Sequence, residues 1–185
     1  MAYIEKNYPD LKKHISENLS PAGTLAALIK RDNPDAKVIF IGPCTAKKAE
    51  YKRDEYSGLI DCVLTFEELQ ALFESRGINL NDAHPYRLSG ASYFGRKFAA
   101  SGGVADAIKH TVENDSSFVL NPLVCSGIAE CKSALIRKDK GVLKENFVEG
   151  MACKGGCVYG AGCLTHSPKN PVAVDLYAKS DNRDK

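Results

Sequence analysis

The amino-acid sequence predicts an α/β fold in which parallel strands are flanked by helices, and three observations support this prediction. Short apolar runs rich in β-branched residues recur along the 185 residues of the chain. Stretches with apolar side chains at helical spacing separate these runs, and helix-capping residues precede two of the stretches. Strands that alternate with helices in this way favour parallel sheets with helices on both faces.

Four strands and four main helices are predicted along the chain. The strands are expected at residues 37–42, 59–64, 118–125 and 146–152, and the helices at residues 20–32, 65–75, 103–114 and 128–138. Ser20 is the expected N-cap of the first helix, with Pro21 at its first position. Thr65 and Glu68 form a capping-box pattern before the second helix, and Gly77 is a stop signal after it.

Two segments give weaker patterns. Residues 79–103 are crowded with Asn, Asp, His, Pro, Ser and Gly, which predicts an ordered loop or a surface insertion. We expect residues 1–165 to form the folded domain. Residues 166–185 are polar and are expected to be a tail or linker that frays beyond about residue 172.

The composition argues against several classes of function. The chain is 44% hydrophobic and 26% charged, with a net charge of +2 and no basic run of five residues, so binding to nucleic acid has no electrostatic support. The N-terminus lacks the apolar core of a signal peptide, and no apolar run approaches the roughly 18–20 residues that span a bilayer. We therefore expect a soluble, cytoplasmic protein with neither nucleic-acid nor membrane partners.

Seven cysteines are the unusual feature of the composition. Their odd number and the lack of an export signal argue against a disulfide framework, and clustered cysteines in a reducing cytosol more often bind metal or carry out redox chemistry. Cys62 and Cys125 fall on predicted strands and are expected in the core, whereas the place of Cys131 is left open. Cys163 has two equally supported interpretations: an extra ligand or redox-reactive thiol, or a loop cysteine without a role.

Cys153 and Cys157 form the strongest motif, a C-x3-C segment that contains Gly155 and Gly156. Glycines let the backbone turn tightly and bring its amides close to a bulky ligand. Two thiolates at this spacing can hold two irons of one cluster, and the spacing differs from the C-x2-C of a zinc ribbon. The plainer interpretation is a pair of buried reduced cysteines beside a glycine turn.

Cys44, Lys47 and Glu50 form a second motif directly after the first predicted strand. The segment offers one thiol ligand, one flexible cation that can reach an anionic group, and one acid. The plainer interpretation is a solvated charge pair behind a core cysteine. Because Cys153 follows the last predicted strand, both motifs lie at carboxyl ends of strands, where open parallel sheets bind their ligands.

Together the two motifs resemble the catalytic domain of FeFe hydrogenases. The family patterns P-C-x2-K-x2-E and E-x-M-x-C-x-G-G-C are matched at Cys44, Lys47, Glu50, Glu149, Met151, Cys153, Gly155, Gly156 and Cys157. Further similar segments are residues 3–9, 20–21, 64–69 and 101–104. The resemblance covers roughly residues 1–165 of the chain.

The resemblance implies a site that holds the H-cluster. The implied ligands of its 4Fe–4S half are Cys44, Cys153 and Cys157, with Gly155 and Gly156 also at the cluster. Cys157 is implied to bridge to a two-iron subsite, Lys47 to donate a hydrogen bond to a cyanide ligand of that subsite, and Met151 to pack against it. Lys47, Met151 and Glu50 are the candidate catalytic residues that the resemblance implies. The implied reaction is the reversible reduction of two protons to dihydrogen, with ferredoxin or another electron carrier as partner.

Several positions depart from the family pattern. The family motif T-S-C-C-P, which supplies the first cluster ligand and a proton-relay cysteine, would lie upstream of residue 1. The chain alone is therefore expected to be inactive and to need the upstream part of its protein. Gly42 stands where most members have Met, Lys154 replaces a usual Pro, and residues 160–163 replace a run of glycines. These changes resemble the sensory branch of the family more than the catalytic one.

Two other interpretations compete with a hydrogenase. One is a non-catalytic iron–sulfur protein similar to the nuclear prelamin A recognition factor and cytosolic cluster-assembly proteins, which keep a 4Fe–4S cluster but lack the two-iron subsite. The other is a plain α/β interaction domain, which the combined motif spacing disfavours. Lys47, Glu149 and Met151 make sense only around a subsite and so favour a hydrogenase. The four histidines have no metal-ligand spacing and are expected at the surface or in loops.

Overall fold

The computed structural model describes residues 1–84, 86, 90–113 and 118–180. The chain divides into two compact units. Unit 1 comprises Lys12–His84 and Gly160–Leu164 together with Met1, and unit 2 comprises the described residues of 2–11, 85–159 and 165–185. The short segment 160–164 therefore belongs to unit 1, although the chain on either side of it belongs to unit 2.

The described residues form eight α-helices and four strands, which alternate along much of the chain. In chain order these elements are α1 (Ala2–Asn7), α2 (Pro21–Asp32), β1 (Ile39–Ile41), α3 (Ala46–Glu50), β2 (Cys62–Leu64), α4 (Phe66–Ser75), α5 (Tyr93–Lys97), α6 (Gly103–Val112), β3 (Pro122–Ser126), α7 (Ile128–Asp139), β4 (Phe147–Met151) and α8 (Asn170–Lys179). Short 3₁₀ helices occur at Pro9–His14, Asp54–Tyr56, Leu80–Asp82 and Cys157–Tyr159. Across these described ranges, no helix is both long enough and apolar enough to cross a membrane.

Each unit contains its own two-stranded parallel sheet. In unit 1, β1 pairs with β2, and Ile39 lies opposite Cys62. In unit 2, β3 pairs with β4, and Ser126 lies opposite Met151 at the carboxyl ends of both strands. All four predicted strands are present, and the predicted α/β class with parallel strands flanked by helices is confirmed.

The first strand is shorter and more exposed than the sequence predicts. Phe40 is half-buried, but Ile39 and Ile41 are 54% and 44% exposed, so the prediction of a buried strand is wrong. Side chains alternate between the two faces of a strand, and the face that carries Ile39 and Ile41 is left exposed. The buried core of unit 1 is formed by Ala26, Ile60 and Val63.

The helix-capping signals of unit 1 are present as predicted. The Ser20 hydroxyl accepts a hydrogen bond from the Gly23 amide at 3.4 Å at the start of α2. At the start of α4, the Thr65 hydroxyl accepts from the Glu68 amide at 3.2 Å, and the Glu68 carboxylate accepts from the Thr65 amide at 2.8 Å. Gly77 follows α4 with a φ of 63°, the left-handed conformation that commonly ends a helix.

The segment 79–103 is more regular than predicted, because it contains α5 and a 3₁₀ turn in place of a continuous loop. Four of its residues, 85 and 87–89, lie outside the described residues. The same holds for residues 114–117, of which only residue 114 belongs to the third predicted helix, and for the last five residues of the predicted tail, 181–185. The predicted strand at 118–125 is observed over the shorter range of β3.

Helix α8 occupies residues 170–179, so the predicted fraying beyond residue 172 is wrong. The buried Arg96 side chain of α5 donates to the Tyr177 carbonyl at 3.1 Å and to the Ser180 hydroxyl at 3.2 Å, and it also lies over the Tyr177 ring. Ala178 is fully buried. Arg96 is separated in sequence from Tyr177 by 81 positions and from Ser180 by 84 positions. No local sequence pattern predicts contacts between residues so far apart. The predicted domain boundary at residue 165 stays a prediction.

Candidate metal centre

The C-x3-C motif forms a tight loop that follows β4 in unit 2; we call residues 153–157 the cysteine loop. The end of β4 is fixed by the Gly127 amide, which donates to the Met151 carbonyl at 2.8 Å. The Gly155 amide donates to the Ser126 hydroxyl at 2.8 Å. The cysteine loop is therefore bound to the end of the neighbouring strand β3, and its predicted position after the last strand is confirmed.

Two adjacent glycines in the cysteine loop adopt backbone conformations that favour glycine. Gly155 and Gly156 have φ values of 85° and 98°. A Cβ on Gly156 would lie 2.6 Å from the Ser101 amide nitrogen and 2.7 Å from the Ala99 carbonyl oxygen, so the neighbouring backbone leaves no room for a side chain. The Gly156 amide also donates to the Cys153 carbonyl at 3.0 Å. Backbone packing thus fixes the path of the chain between the two thiols.

The Ser101 hydroxyl is a buried polar group beside the cysteine loop. Its oxygen has no hydrogen-bond partner within the described part of the protein. The Ser101 amide donates to the Gly155 carbonyl at 3.2 Å, and Ala100 pairs with Gly156 in an antiparallel bridge. The sequence did not single out Ser101 as a site residue, although residues 101–104 are among the segments that resemble the family.

Glu149 is a buried carboxylate that caps helix α6. One of its carboxylate oxygens accepts from the Gly102 amide at 2.8 Å, and the other accepts from the Ala105 amide at 2.7 Å. The side chain is 6% exposed. A carboxylate at a helix N-terminus satisfies amides that have no partner inside the helix. The expectation that Glu149 makes sense only around a two-iron subsite is therefore wrong, because the side chain also accepts hydrogen bonds that cap a helix of the fold.

Cys44 lies in unit 1, between β1 and α3, as the sequence predicts. The carbonyl of the preceding residue, Pro43, accepts a hydrogen bond from the Gly162 amide at 2.9 Å. A Cβ on Gly160 would lie 2.4 Å from the same oxygen. The chain around these two glycines therefore packs directly on the turn that carries Cys44.

Lys47 and Glu50 form an ion pair on α3, and both side chains are largely buried. The Glu50 carboxylate also accepts a hydrogen bond from the Ser20 hydroxyl at 2.6 Å. Burial of Glu50 opposes its ionisation, but hydrogen bonds from Lys47 and Ser20 outweigh burial and lower the pKa of this carboxyl. The pair is thus packed within unit 1 rather than solvated. A lysine ammonium has three hydrogens, so the pair leaves Lys47 able to donate to a further acceptor.

Gly42, which replaces the family's usual Met, lies next to an aromatic ring. A Cβ on Gly42 would lie 2.8 Å from the nearest carbon of the Phe40 ring. The Gly42 amide donates to the Leu64 carbonyl at 3.0 Å, which extends the β1–β2 pairing by one residue. A larger side chain at position 42 would therefore have to displace the Phe40 ring.

The remaining cysteines are partly or fully buried. Cys125 on β3 is 2% exposed, which confirms its predicted place in the core, and Cys62 on β2 is half-buried. The Cys131 thiol donates to the Met151 carbonyl at 3.6 Å, so this residue packs against β4. Burial raises the pKa of the Cys125 and Cys131 thiols. Cys163 is 7% exposed, which fits a buried loop cysteine better than an accessible redox-reactive thiol.

The described residues contain no assembled metal site. All seven cysteines are among them, and none forms a disulfide. Within the same ranges, no three His, Cys, Asp or Glu side chains are grouped so that they could hold a metal ion. Cys153 and Cys157 share one loop of unit 2, whereas Cys44 belongs to unit 1, so ligation of one cluster by all three stays a prediction. The four histidines are exposed, as predicted.

The chain belongs to the family described as "Iron only hydrogenase large subunit, C-terminal domain", whose sequence model matches residues 1–161. This match includes the cysteine loop and the Cys44 turn, and the family predicted from the two motifs is confirmed.

Similar proteins include both hydrogenases and cluster-assembly proteins. The periplasmic [Fe] hydrogenase large subunit of Nitratidesulfovibrio vulgaris is 32% identical over 224 aligned positions, which cover 98% of this chain and 52% of that protein. Cytosolic iron–sulfur assembly component 3 of Pongo abelii is 26% identical over 92% of this chain and 46% of its own length. This chain therefore spans about half the length of these curated relatives.

Solved structures show the same fold. A variant of the [FeFe]-hydrogenase HydA1 from Chlamydomonas reinhardtii superposes with a TM-score of 0.71 and 23% identity, covering 100% of this chain and 64% of that one. A second structure, which concerns stepwise H-cluster assembly in HydA(deltaEFG), gives a TM-score of 0.70 at 23% identity and the same coverage. At this level of identity the likeness establishes the fold.

The residues of this chain fit part of the group that the family implies. A 4Fe–4S cluster is commonly held by four thiolates, and this chain offers three at the matching positions. The glycines of the cysteine loop let its backbone pack against the Tyr159 ring and the backbone of residues 99–101, which fixes the chain between two of these thiols. The Ser101 hydroxyl beside the loop is a donor in need of an acceptor. The donor set therefore fits an iron–sulfur cluster with one ligand from elsewhere.

Proposed function

We propose that this chain is the cluster-binding part of a hydrogenase-type protein, in which Cys44, Cys153 and Cys157 hold a 4Fe–4S cluster. The observation that carries the proposal is the cysteine loop, whose backbone is fixed by two positive-φ glycines between two thiols. A loop needed only for chain reversal has no requirement for a thiol at each end. The third proposed ligand is Cys44, which stands at the other cysteine of the family pattern that the sequence resembles.

The residues of this chain would ligate, orient and shield the cluster. The three thiols bind iron as thiolates, and the positive-φ conformations of Gly155 and Gly156 hold the backbone path between Cys153 and Cys157. Lys47, already oriented by Glu50, can donate a further hydrogen bond to an anionic ligand. Met151 ends the strand that leads into the cysteine loop. When bound, the full H-cluster would supply the reversible reduction of protons to dihydrogen.

This activity needs a further polypeptide segment in addition to the present chain. The fourth thiolate and the proton relay would come from the upstream part of the same protein, since this chain spans about half the length of its curated relatives. We propose ferredoxin or a comparable electron carrier as partner, and the cytoplasm as compartment. The chain alone is expected to be inactive and to hold its cluster weakly, because three thiolates leave one iron open.

A second candidate function is a non-catalytic iron–sulfur protein that binds only the 4Fe–4S cluster. Two observations favour it: Glu149 is explained by the cap of α6, and Gly42 replaces the usual Met beside the Phe40 ring. The sequence similarity to cytosolic iron–sulfur assembly component 3 points the same way. Infrared absorption of carbonyl and cyanide ligands, present only with a two-iron subsite, separates the two candidates.

The test of the shared proposal is anaerobic reconstitution of the chain with ferrous iron, sulfide and an excess of a small thiol that can complete the open iron. The wild-type chain is expected to gain iron and sulfide together with a brown absorption, and to lose both to a chelator. The double variant Cys44→Ala with Cys153→Ala is expected to retain neither, since one thiolate cannot hold the cluster.

The matched control replaces two cysteines that are not proposed as ligands, Cys62→Ala with Cys131→Ala. Both of these cysteines are partly buried, so their loss perturbs packing without removing a proposed ligand. This control is expected to keep the iron content of the wild-type chain. Equal iron contents in the wild-type chain and in the ligand double variant would show that the ligand assignment is wrong.

A further inference from the structure

The Ser101 hydroxyl is a hydrogen-bond donor whose acceptor is not among the described protein atoms. Its oxygen is fully buried and has no partner there. The position of the residue does not depend on this hydroxyl, because the Ser101 amide donates to the Gly155 carbonyl at 3.2 Å and the adjacent Ala100 bridges to Gly156. Backbone contacts thus hold Ser101 against the cysteine loop.

The polar groups around Ser101 already have partners. Both carboxylate oxygens of Glu149 accept from backbone amides, those of Gly102 and Ala105. The Ser126 hydroxyl, on the β3 side of the cysteine loop, accepts from the Gly155 amide at 2.8 Å. A buried hydroxyl without a partner is costly and uncommon in folded proteins, and an alanine could make the same backbone contacts without that cost. An acceptor that is not part of the protein accounts for a serine at this position.

We infer that the Ser101 hydroxyl donates a hydrogen bond to a sulfur of the cluster held by the cysteine loop, either an inorganic sulfide or a cysteine thiolate. This inference rests on the proposed function, since it needs the cluster as acceptor. Hydrogen bonds to cluster sulfurs favour the more negative, reduced form and so raise the reduction potential. Ser101 is therefore a positioning and tuning residue; it takes no part in bond making.

The test compares Ser101→Ala and Ser101→Thr with the wild-type chain, all reconstituted anaerobically as above. Ser101→Ala is expected to give a more negative midpoint potential and about fivefold faster iron loss to a chelator, the effect of one lost hydrogen bond. Ser101→Thr keeps the hydroxyl and is expected to restore both values. Without iron, Ser101→Ala is expected to melt at the wild-type temperature or above it, because the variant removes an unsatisfied buried group.

Ser133→Ala, which changes an exposed serine on α7, is the matched control and is expected to leave all three measurements unchanged. If the cluster in Ser101→Ala has the wild-type reduction potential and the wild-type rate of iron loss, the inference is overturned and the proposed function stays intact. This result is expected if the hydroxyl donates to an ordered water instead of to the cluster. A large fall in the melting temperature of iron-free Ser101→Ala would also overturn it, since the hydroxyl would then have a protein partner. A wild-type chain that retains no iron overturns the proposed function and the inference together.

Discussion

Gly156→Ala is expected to lower the free energy of unfolding by about 3 kcal/mol, which denaturant titration of the iron-free chain measures. A side chain at a φ of 98° costs roughly 1–2 kcal/mol. The new Cβ would also lie 2.6 Å from the Ser101 amide nitrogen, and the backbone shift needed to relieve this clash costs roughly 1–3 kcal/mol more. Because the shift moves the turn that ends at Cys157, we expect iron retention to fall as well.

The control for this prediction is Gly141→Ala in the same unit. Gly141 has a φ of 69°, and no heavy atom lies within 4 Å of its would-be Cβ, so the substitution carries the conformational cost without the clash. We expect a loss of about 1 kcal/mol there. Equal losses at positions 141 and 156 would mean that the close packing of the cysteine loop against Ser101 has no energetic importance.

Glu149→Ala is expected to destabilise the iron-free chain by about 3 kcal/mol. The substitution leaves the Gly102 and Ala105 amides without their acceptor, and each such buried donor costs roughly 1–3 kcal/mol, part of which water entering the vacated space offsets. Glu149→Gln keeps one amide oxygen as acceptor, so we expect a smaller loss of about 1–2 kcal/mol. Thermal and denaturant unfolding of both variants measure the difference.

Glu17→Ala, which removes an exposed carboxylate from a loop, is the control and is expected to change stability by less than about 0.5 kcal/mol. If Glu149→Ala unfolds like the wild-type chain without iron, the carboxylate has no capping role. Its presence in the motif would then be explained by the bound group alone, as the sequence pattern first indicates.

Features with local signals were predictable from the sequence. Ser20, Thr65 with Glu68, and Gly77 define helix ends through neighbours within a few residues, and each behaves as predicted. The helical structure of the C-terminal segment could not be predicted from local signals. Helix α8 depends on the Arg96 side chain, whose partners are 81 and 84 positions away in sequence.

The same distinction applies to the candidate site. The positions of Cys44 and of the cysteine loop after strands followed from the strand predictions and are observed. The role of Glu149 was misjudged because its partners, Gly102 and Ala105, lie 47 and 44 residues away in sequence. Ser101 was not selected although residues 101–104 resemble the family, because its burial against the cysteine loop depends on residues that are distant in sequence.

The single variant Cys44→Ala tests most directly whether thiols from both units serve one cluster. The measurement is electron paramagnetic resonance of the dithionite-reduced, anaerobically reconstituted chain, together with its iron and sulfide contents. We predict that Cys44→Ala loses the signal of the reduced 4Fe–4S cluster as fully as Cys153→Ala does. A Cys44→Ala chain with the wild-type signal and wild-type iron content would contradict the account, because the cysteine loop would then bind its iron without unit 1.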